Sequence, residues 1–463
     1  MFSCLKRGRT FYTGLVALAL PIILQNLITN SLGLLDTFMV GMLGETPMAA
    51  VTLANIPIFV IQLMIFGFQS GASVLISQHW GKKDTDTINR VIGISFYVAG
   101  ALSLLFALVM VLLPRQFMGL FSNNAELVEV AAQYARIVGP SYVFNSLTQV
   151  YLGAHRSMEN PRLGLYVLAV SMCSNTLLNY MLIFGKFGAP ALGVIGAAAA
   201  TLSSRILEFI ITFTYAFFSK RFRLRWSMVL RPGKEVTGRF IHYASPVVFN
   251  ETMWGLGTSL FPTIMGHMEG STEILAAFTI AGNIEKVATV VVFALAGASA
   301  IIIGREIGSG QSPDKVYDIG AALNVLSFLL GGVVGGIVIV LSLTLAPAFL
   351  YPLFHLSDAA GGITTMMLVV TFAIMPLRSF NSTNVVGVLR GGGDVRMASF
   401  IDLTPLWLAA LPAAAVVGLA VRAGILPVYL ALSLENVIKF FTGVRRFRSG
   451  VWIHDITQKS WQK

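Results

Sequence analysis

The sequence predicts an all-α polytopic membrane protein, with twelve transmembrane helices in two pseudo-symmetric six-helix bundles. Three observations predict it. The 463 residues are 56% hydrophobic and only 11% charged, an apolar excess that a water-soluble core cannot absorb. Apolar segments long enough to cross a bilayer recur along the whole chain. The second half also repeats landmarks of the first.

The spans read as 11–38, 48–79, 91–114, 126–153, 162–185, 192–218, 240–266, 274–304, 315–349, 362–388, 397–420 and 425–444. The first is uncharged from Phe11 to Leu35. Pro21 removes a backbone donor in mid-helix and is the expected helix-bending residue. Asp36 then puts a carboxylate at membrane depth, which costs about 2.5–3.5 kcal/mol unless it is paired, hydrated or ion-bound. The alternative is a helix cap just outside the hydrocarbon. Phe38, Met39 and Val40 continue the apolar run and argue against that early exit.

Span 5 carries Asn175 and Asn179, four residues apart and so on one helix face. Span 6 carries the small-residue segment Gly196 to Ala200, followed by Thr201. One carboxylate with several neutral oxygens suits a monovalent cation or a proton. Asparagines alone read as inter-helix hydrogen bonds; with Asp36 in the same half, an ion site is the favoured reading.

The repeat is ordered. Ser70-Gly71-Ala72-Ser73 matches Ala296-Gly297-Ala298-Ser299, and Pro140 with Phe144-Asn145-Ser146 matches Pro376 with Phe380-Asn381-Ser382. Arg156 and Arg162 match Arg390 and Arg396, and Pro21 matches Pro246. Four matches in one order indicate parallel homologous halves. The expected organisation is a six-helix lobe over 1–218, a linker over 219–239, a second lobe over 240–445 and an interfacial tail over 446–463.

Charge sorts the loops. One set holds Lys6, Arg7, Arg9, Lys82, Lys83, Arg90 and the basic 219–239 stretch; the alternating set holds Glu45, Glu126, Glu269, Glu273 and Asp358. The positive-inside rule then puts both termini in the cytoplasm of a multi-pass inner-membrane protein. The formal charge of +11 is explained by this asymmetry, so no nucleic-acid partner is inferred. Cys4 and Cys173 form no disulfide framework. No H-E-x-x-H, G-x-S-x-G or Walker A pattern is present, so neither an enzyme nor an ATP-driven pump is predicted. Gly391-Gly392-Gly393 reads as a tight turn between spans 10 and 11.

The chain resembles the MATE family, the multidrug and toxic compound extrusion transporters. The resemblance rests on twelve spans in two halves, on Pro21 with Asp36, on Gln78-x-x-Gly81-Lys82-Lys83 and on the span 5 asparagine pair followed by Thr201. It implies a secondary antiporter that exports organic, often cationic and amphipathic compounds in exchange for Na+ or H+, by rocking of two lobes. It implies a cation site at Asp36, Asn175, Asn179 and Thr201, with a carbonyl from the Ala197 turn, and no cofactor beyond the coupling ion. Asn179 stands where some relatives have an aspartate, which leaves the choice between Na+ and H+ open. Small organic substrates and membrane lipids are the expected partners, and a monomer is the expected state. A flippase for a lipid-linked precursor, from the same superfamily, is the rival; unpaired arginines would favour it, and Arg136, Arg205 and Arg378 are the candidates.

In the second half Phe261 and Pro262 replace the Asp36 position. Glu251, Glu285 and Lys286 are the charged candidates there, with Lys286 a possible neutraliser of Glu251. A coupling site and a structural ion pair both fit these residues. Asn145, Met172 and Trp254 are candidates for lining a substrate cavity. Asp402, Glu435 and Lys439 read as ties between helices.

Overall fold

The computed structural model describes residues 6–353 and 356–458. Cys4 and Trp461 lie outside the described residues. Every predicted span is helical, and the chain has the all-α polytopic architecture expected of it. Among the described residues nine helices are long and apolar enough to cross a membrane. A tenth is the pair Asp358–Ala373 and Met375–Leu389, bent by 52°. Three predicted positions are more polar. Ala125–Val138 carries Glu126, Glu129 and Arg136; Lys234–Gly266 carries Arg239 and Glu251; Ser271–Ala288 carries Glu273, Glu285 and Lys286.

Several spans are broken where the sequence weakens the helix. The second is split at Asn55 into Glu45–Ala54 and Ile56–Gly81, with Pro57 opening the second piece. The fourth is split at Gly139-Pro140 into Ala125–Val138 and Ser141–Ser157. The eighth breaks at Thr289, and the tenth at Ile374, ahead of Pro376. Wider π turns follow at Ala346–Leu350, Thr383–Leu389, Leu406–Ala410 and Val416–Ala420. Three of the four begin within four residues of Pro347, Pro405 or Pro412, whose missing donors disrupt the regular ladder. The first helix, by contrast, runs unbroken from Arg9 to Gly41 through Pro21.

Packing divides the chain into two compact units, Pro21–Val248 and Met1–Leu20 with Phe249–Lys463. Both divisions fall beside the repeated prolines, Pro21 and Pro246, and not at the sequence seams at 218 and 240. The linker therefore packs with the first unit. Asn89 accepts from the Arg225 backbone amide at 2.8 Å, and the Tyr97 hydroxyl donates to the Leu230 carbonyl at 3.0 Å. The short helix Trp226–Val229 sits so close to the Thr85–Leu112 helix that a Cβ on Gly93 would lie 2.2 Å from the Val229 carbonyl oxygen.

In the second unit the carboxy-terminal segment differs from the expected interfacial tail. Trp452 is completely buried: its indole N–H donates to the Phe447 carbonyl at 3.0 Å, and its ring stacks on Phe447. His454 donates its backbone N–H to Gly392 at 2.8 Å. The glycine turn after Leu389 is what admits the indole, because a Cβ on Gly392 would meet it at 2.5 Å. A tryptophan whose N–H is satisfied inside protein gains more from burial than from an interface.

The Gly93 contact yields a prediction. Gly93→Val should lower stability by about 1–3 kcal/mol through overpacking against the linker. Gly119→Ala, with nothing near its Cβ, should be close to neutral. Thermal unfolding of the two purified variants, followed by size-exclusion fluorescence, checks the contrast.

Candidate functional site

Asp36 lies in the last turns of the Arg9–Gly41 helix and is partly buried. The Pro161–Phe184 helix brings both asparagines toward it, because 175 and 179 share a face. Asn179 donates from Nδ2 to Asp36 Oδ1 at 2.6 Å and to Asn175 Oδ1 at 3.0 Å. Asn175 donates in turn to Ser204 Oγ at 3.3 Å, and the Ser204 hydroxyl donates to the Thr201 carbonyl at 2.9 Å. A continuous polar network thus joins Asp36 to the Val194–Phe218 helix inside the first unit.

Thr201 enters that network through its carbonyl, and its side chain lies within hydrogen-bonding reach of Tyr134. Ala197 is buried one turn earlier, in an apolar cluster with Met39, Val40, Tyr134 and Ile183. Asn175 and Asn179 are both 1% exposed, which makes their polar satisfaction an energetic necessity. Yet Asn179 Oδ1 is buried and receives no hydrogen bond. An amide oxygen left open beside a carboxylate is a ready acceptor for a monovalent cation or a hydrated proton. Among the described residues no three His, Cys, Asp or Glu side chains cluster in a way that could hold a metal ion.

Sequence reasoning missed Ser204 and Tyr134 as members of this network. Ser204 has a readable signal, since 201, 204, 205 and 208 share one helix face. Tyr134 has none, because its approach depends on tertiary packing. Arg205 and Glu208 form a buried pair on the same face, Nη1 to Oε1 at 2.7 Å.

The second unit holds a different arrangement. The Glu251 carboxylate pairs with Arg390 at 2.7 Å, across 139 residues of sequence. Asp402 lies 3.7 Å from Arg390 and 2.8 Å from Lys439, and also accepts from Asn250 at 2.8 Å. Lys439 bridges on to Glu435 one turn earlier. Glu285 pairs with Arg378 at 2.5 Å. Of the two readings left open for Glu251, the pairing with Lys286 is corrected: its partner is Arg390, and Lys286 is exposed. The physical reason is angular, since adjacent helical residues diverge by about 100°, and Glu285 takes the direction that meets Arg378.

The cavity candidates are dispersed. Asn145 and Met172 are partly buried in the first unit, and the Asn145 amide oxygen is buried without a donor. Trp254 packs against the apolar core of the second unit, as do Phe261 and Trp407.

The family model described as MatE matches residues 21–181, which include Asp36, Asn175 and Asn179. Among named relatives, the chain is 25% identical to the uncharacterized transporter YisQ of Bacillus subtilis, over 97% of each chain. It is also 25% identical to the probable multidrug resistance protein NorM of Thermotoga maritima, over 95% of this chain and 92% of that one. Among solved structures it is similar to a MOP superfamily transporter from Pyrococcus furiosus, with a TM-score of 0.82, 19% identity and coverage of 95% and 96%. A variant of the Vibrio cholerae MATE transporter VcmN superposes with the same TM-score and coverage at 20% identity.

The ion pairs of the second unit generate a prediction. Arg390→Met should destabilise the protein by about 3–5 kcal/mol, because it strands buried carboxylates. The double variant Arg390→Met with Glu251→Gln should recover a large part of that loss. Lys286→Met should change stability by less than about 0.5 kcal/mol, as expected for an exposed side chain. Apparent melting temperatures of the three variants distinguish this pairing from the one expected of Lys286.

Proposed function

Since the chain belongs to the MATE family of membrane transporters, we propose that it is a secondary active antiporter that exports organic, often cationic and amphipathic compounds in exchange for Na+ or H+. Asp36 is the coupling carboxylate in this reading. Asn179, Asn175 and Thr201 supply neutral oxygens around it, with the Ala197 turn behind them. The single observation that carries the reading is the buried Asn179 amide, which holds Asp36 with its nitrogen and leaves its oxygen open.

A cation entering down its gradient neutralises Asp36 and takes the open oxygen. Neutralising a carboxylate at membrane depth removes an energetic penalty, and that difference between loaded and empty states is what can bias alternating access. Pro21 lies fifteen positions before Asp36 in the same continuous helix. The missing donor at Pro21 gives that helix a place to bend when the site loads.

The flippase reading requires free guanidinium groups to hold a pyrophosphate. The three candidate arginines do not supply them as a cluster. Arg205 is engaged by Glu208 and Arg378 by Glu285, while Arg136 donates to the Val111 carbonyl at 3.3 Å. That distribution favours export of organic compounds.

Two experiments test the proposal. Asp36→Asn should leave folding and insertion intact and abolish gradient-driven transport of a fluorescent organic cation in proteoliposomes. Transport equal to wild type at equal reconstitution would remove Asp36 from the coupling role. For the topology, both termini and the 219–239 linker are assigned to the cytoplasm from the loop charges. Single cysteines placed in the linker should react with an impermeant maleimide only after the cells are opened; labelling in intact cells would reverse the orientation.

A further inference from the structure

We propose that Arg205 and Glu208 set the net charge of the Asp36 site, with Glu208 holding Arg205 so that Asp36 stays available for one monovalent cation. This rests on the reading of Asp36 as the coupling carboxylate. It adds that ion affinity is governed from the Val194–Phe218 helix, by a pair that does not itself ligate the ion.

The argument begins with a charge count. The first unit holds two carboxylates, Asp36 and Glu208, and one guanidinium, Arg205, on helices that the hydrogen bonds through Asn179, Asn175 and Ser204 join. The Glu208 side chain is 0% exposed and the Arg205 side chain 19%. An arginine in such a place remains protonated, so the region carries a fixed positive charge. That charge can balance only one of the two carboxylates. It is committed to Glu208, three residues along the same helix, at 2.7 Å.

Asp36 is the carboxylate left over. Its hydrogen-bond partner is the neutral amide of Asn179. The network through Asn179 and Asn175 ends on Ser204, which shares a helix face with Arg205 and Glu208. The charged and titratable groups acting on Arg205 are Glu208, Asp36 and Tyr134. Arg205 is therefore within the electrostatic reach of two competitors.

A second observation shows that Glu208 is not simply satisfied. Its other oxygen, Oε2, is buried and has no hydrogen-bond donor. Thr212, one turn further along the same face, also has a buried hydroxyl without a partner. A fully buried carboxylate with one open oxygen is an expensive way to close a helix interface. It is a reasonable way to keep a guanidinium from drifting to the neighbouring acid.

The consequence is directional. Without Glu208, the guanidinium is free to neutralise Asp36, and the coupling cation must displace it. Without Arg205, both carboxylates compete for external cations. An opposite charge within reach of a carboxylate changes its cation affinity by about one to three log units.

The test uses the full-length protein in proteoliposomes, with ethidium as transported cation and the driving Na+ or H+ concentration varied. Apparent affinity for the driving cation is normalised to folded, monodisperse protein. Glu208→Gln should weaken it by about tenfold or more, and Arg205→Met should tighten it by a similar factor. The double variant should return to the wild-type value. A purely structural pair predicts wild-type affinity in every molecule that folds. Unchanged affinity in folded Glu208→Gln, or in folded Arg205→Met, therefore overturns the proposal, so either variant decides if the other fails to fold. A folded double variant as weak as Glu208→Gln overturns it too. Asp36→Asn is run alongside. Coupled transport surviving in that variant refutes the coupling role of Asp36 itself, whereas its loss there with unchanged affinity in Glu208→Gln refutes only the role of the pair.

Discussion

A carboxylate inside a membrane helix must be answered by something, and the answer organises the first unit. Asp36 is held by one amide hydrogen bond, from Asn179. That bond fixes the register of the Pro161–Phe184 helix against the first span, since only one face of it offers both 175 and 179. Asn175 then fixes the next helix through Ser204. Small residues make the approach possible: a Cβ on Gly196 would lie 2.3 Å from the Leu182 carbonyl oxygen. Close helix contact and polar satisfaction are thus one constraint seen from two sides.

The second unit answers buried charge differently. Glu251, Asp402 and Glu435 are met by Arg390 and Lys439. Full ion pairs of this kind tie helices together at the expense of desolvation, and they neutralise the carboxylates from within the protein. The repeat in the sequence therefore preserves helix order while the electrostatic content has diverged. The substitution of Phe261 and Pro262 at the position matching Asp36 is the clearest sign of it.

Much of the helical layout was legible because it depends on local pattern. The uncharged run from Phe11 to Leu35 and the four-residue spacing of Asn175 and Asn179 are short-range signals. The repeated prolines are also visible, although packing moves the division of the chain from 218 and 240 to the prolines themselves. What the sequence does not reveal is which distant partner a charge selects. Glu251 meets Arg390 from 139 residues away, while the nearer candidate Lys286 points outward. Trp452 likewise reads as an interfacial anchor, because the glycine turn at 391–393, though legible as a turn, carries no sign that it receives an indole. Pairing across a fold is decided by the summed geometry of several helices, and a single chain pattern does not contain that sum.

The π turns carry a consequence for how the two units breathe. Among the described residues all four lie in the second unit, in the ninth, tenth and eleventh spans. A π turn shifts the hydrogen-bonding register and loosens the ladder on either side of it. Amide protons in Leu406–Ala410 and Val416–Ala420 should therefore exchange with deuterium sooner than those at equal depth in the regular Pro161–Phe184 helix. Two halves that share a layout would then differ in where their helices can give: the second is tied by ion pairs yet loosened locally at its π turns.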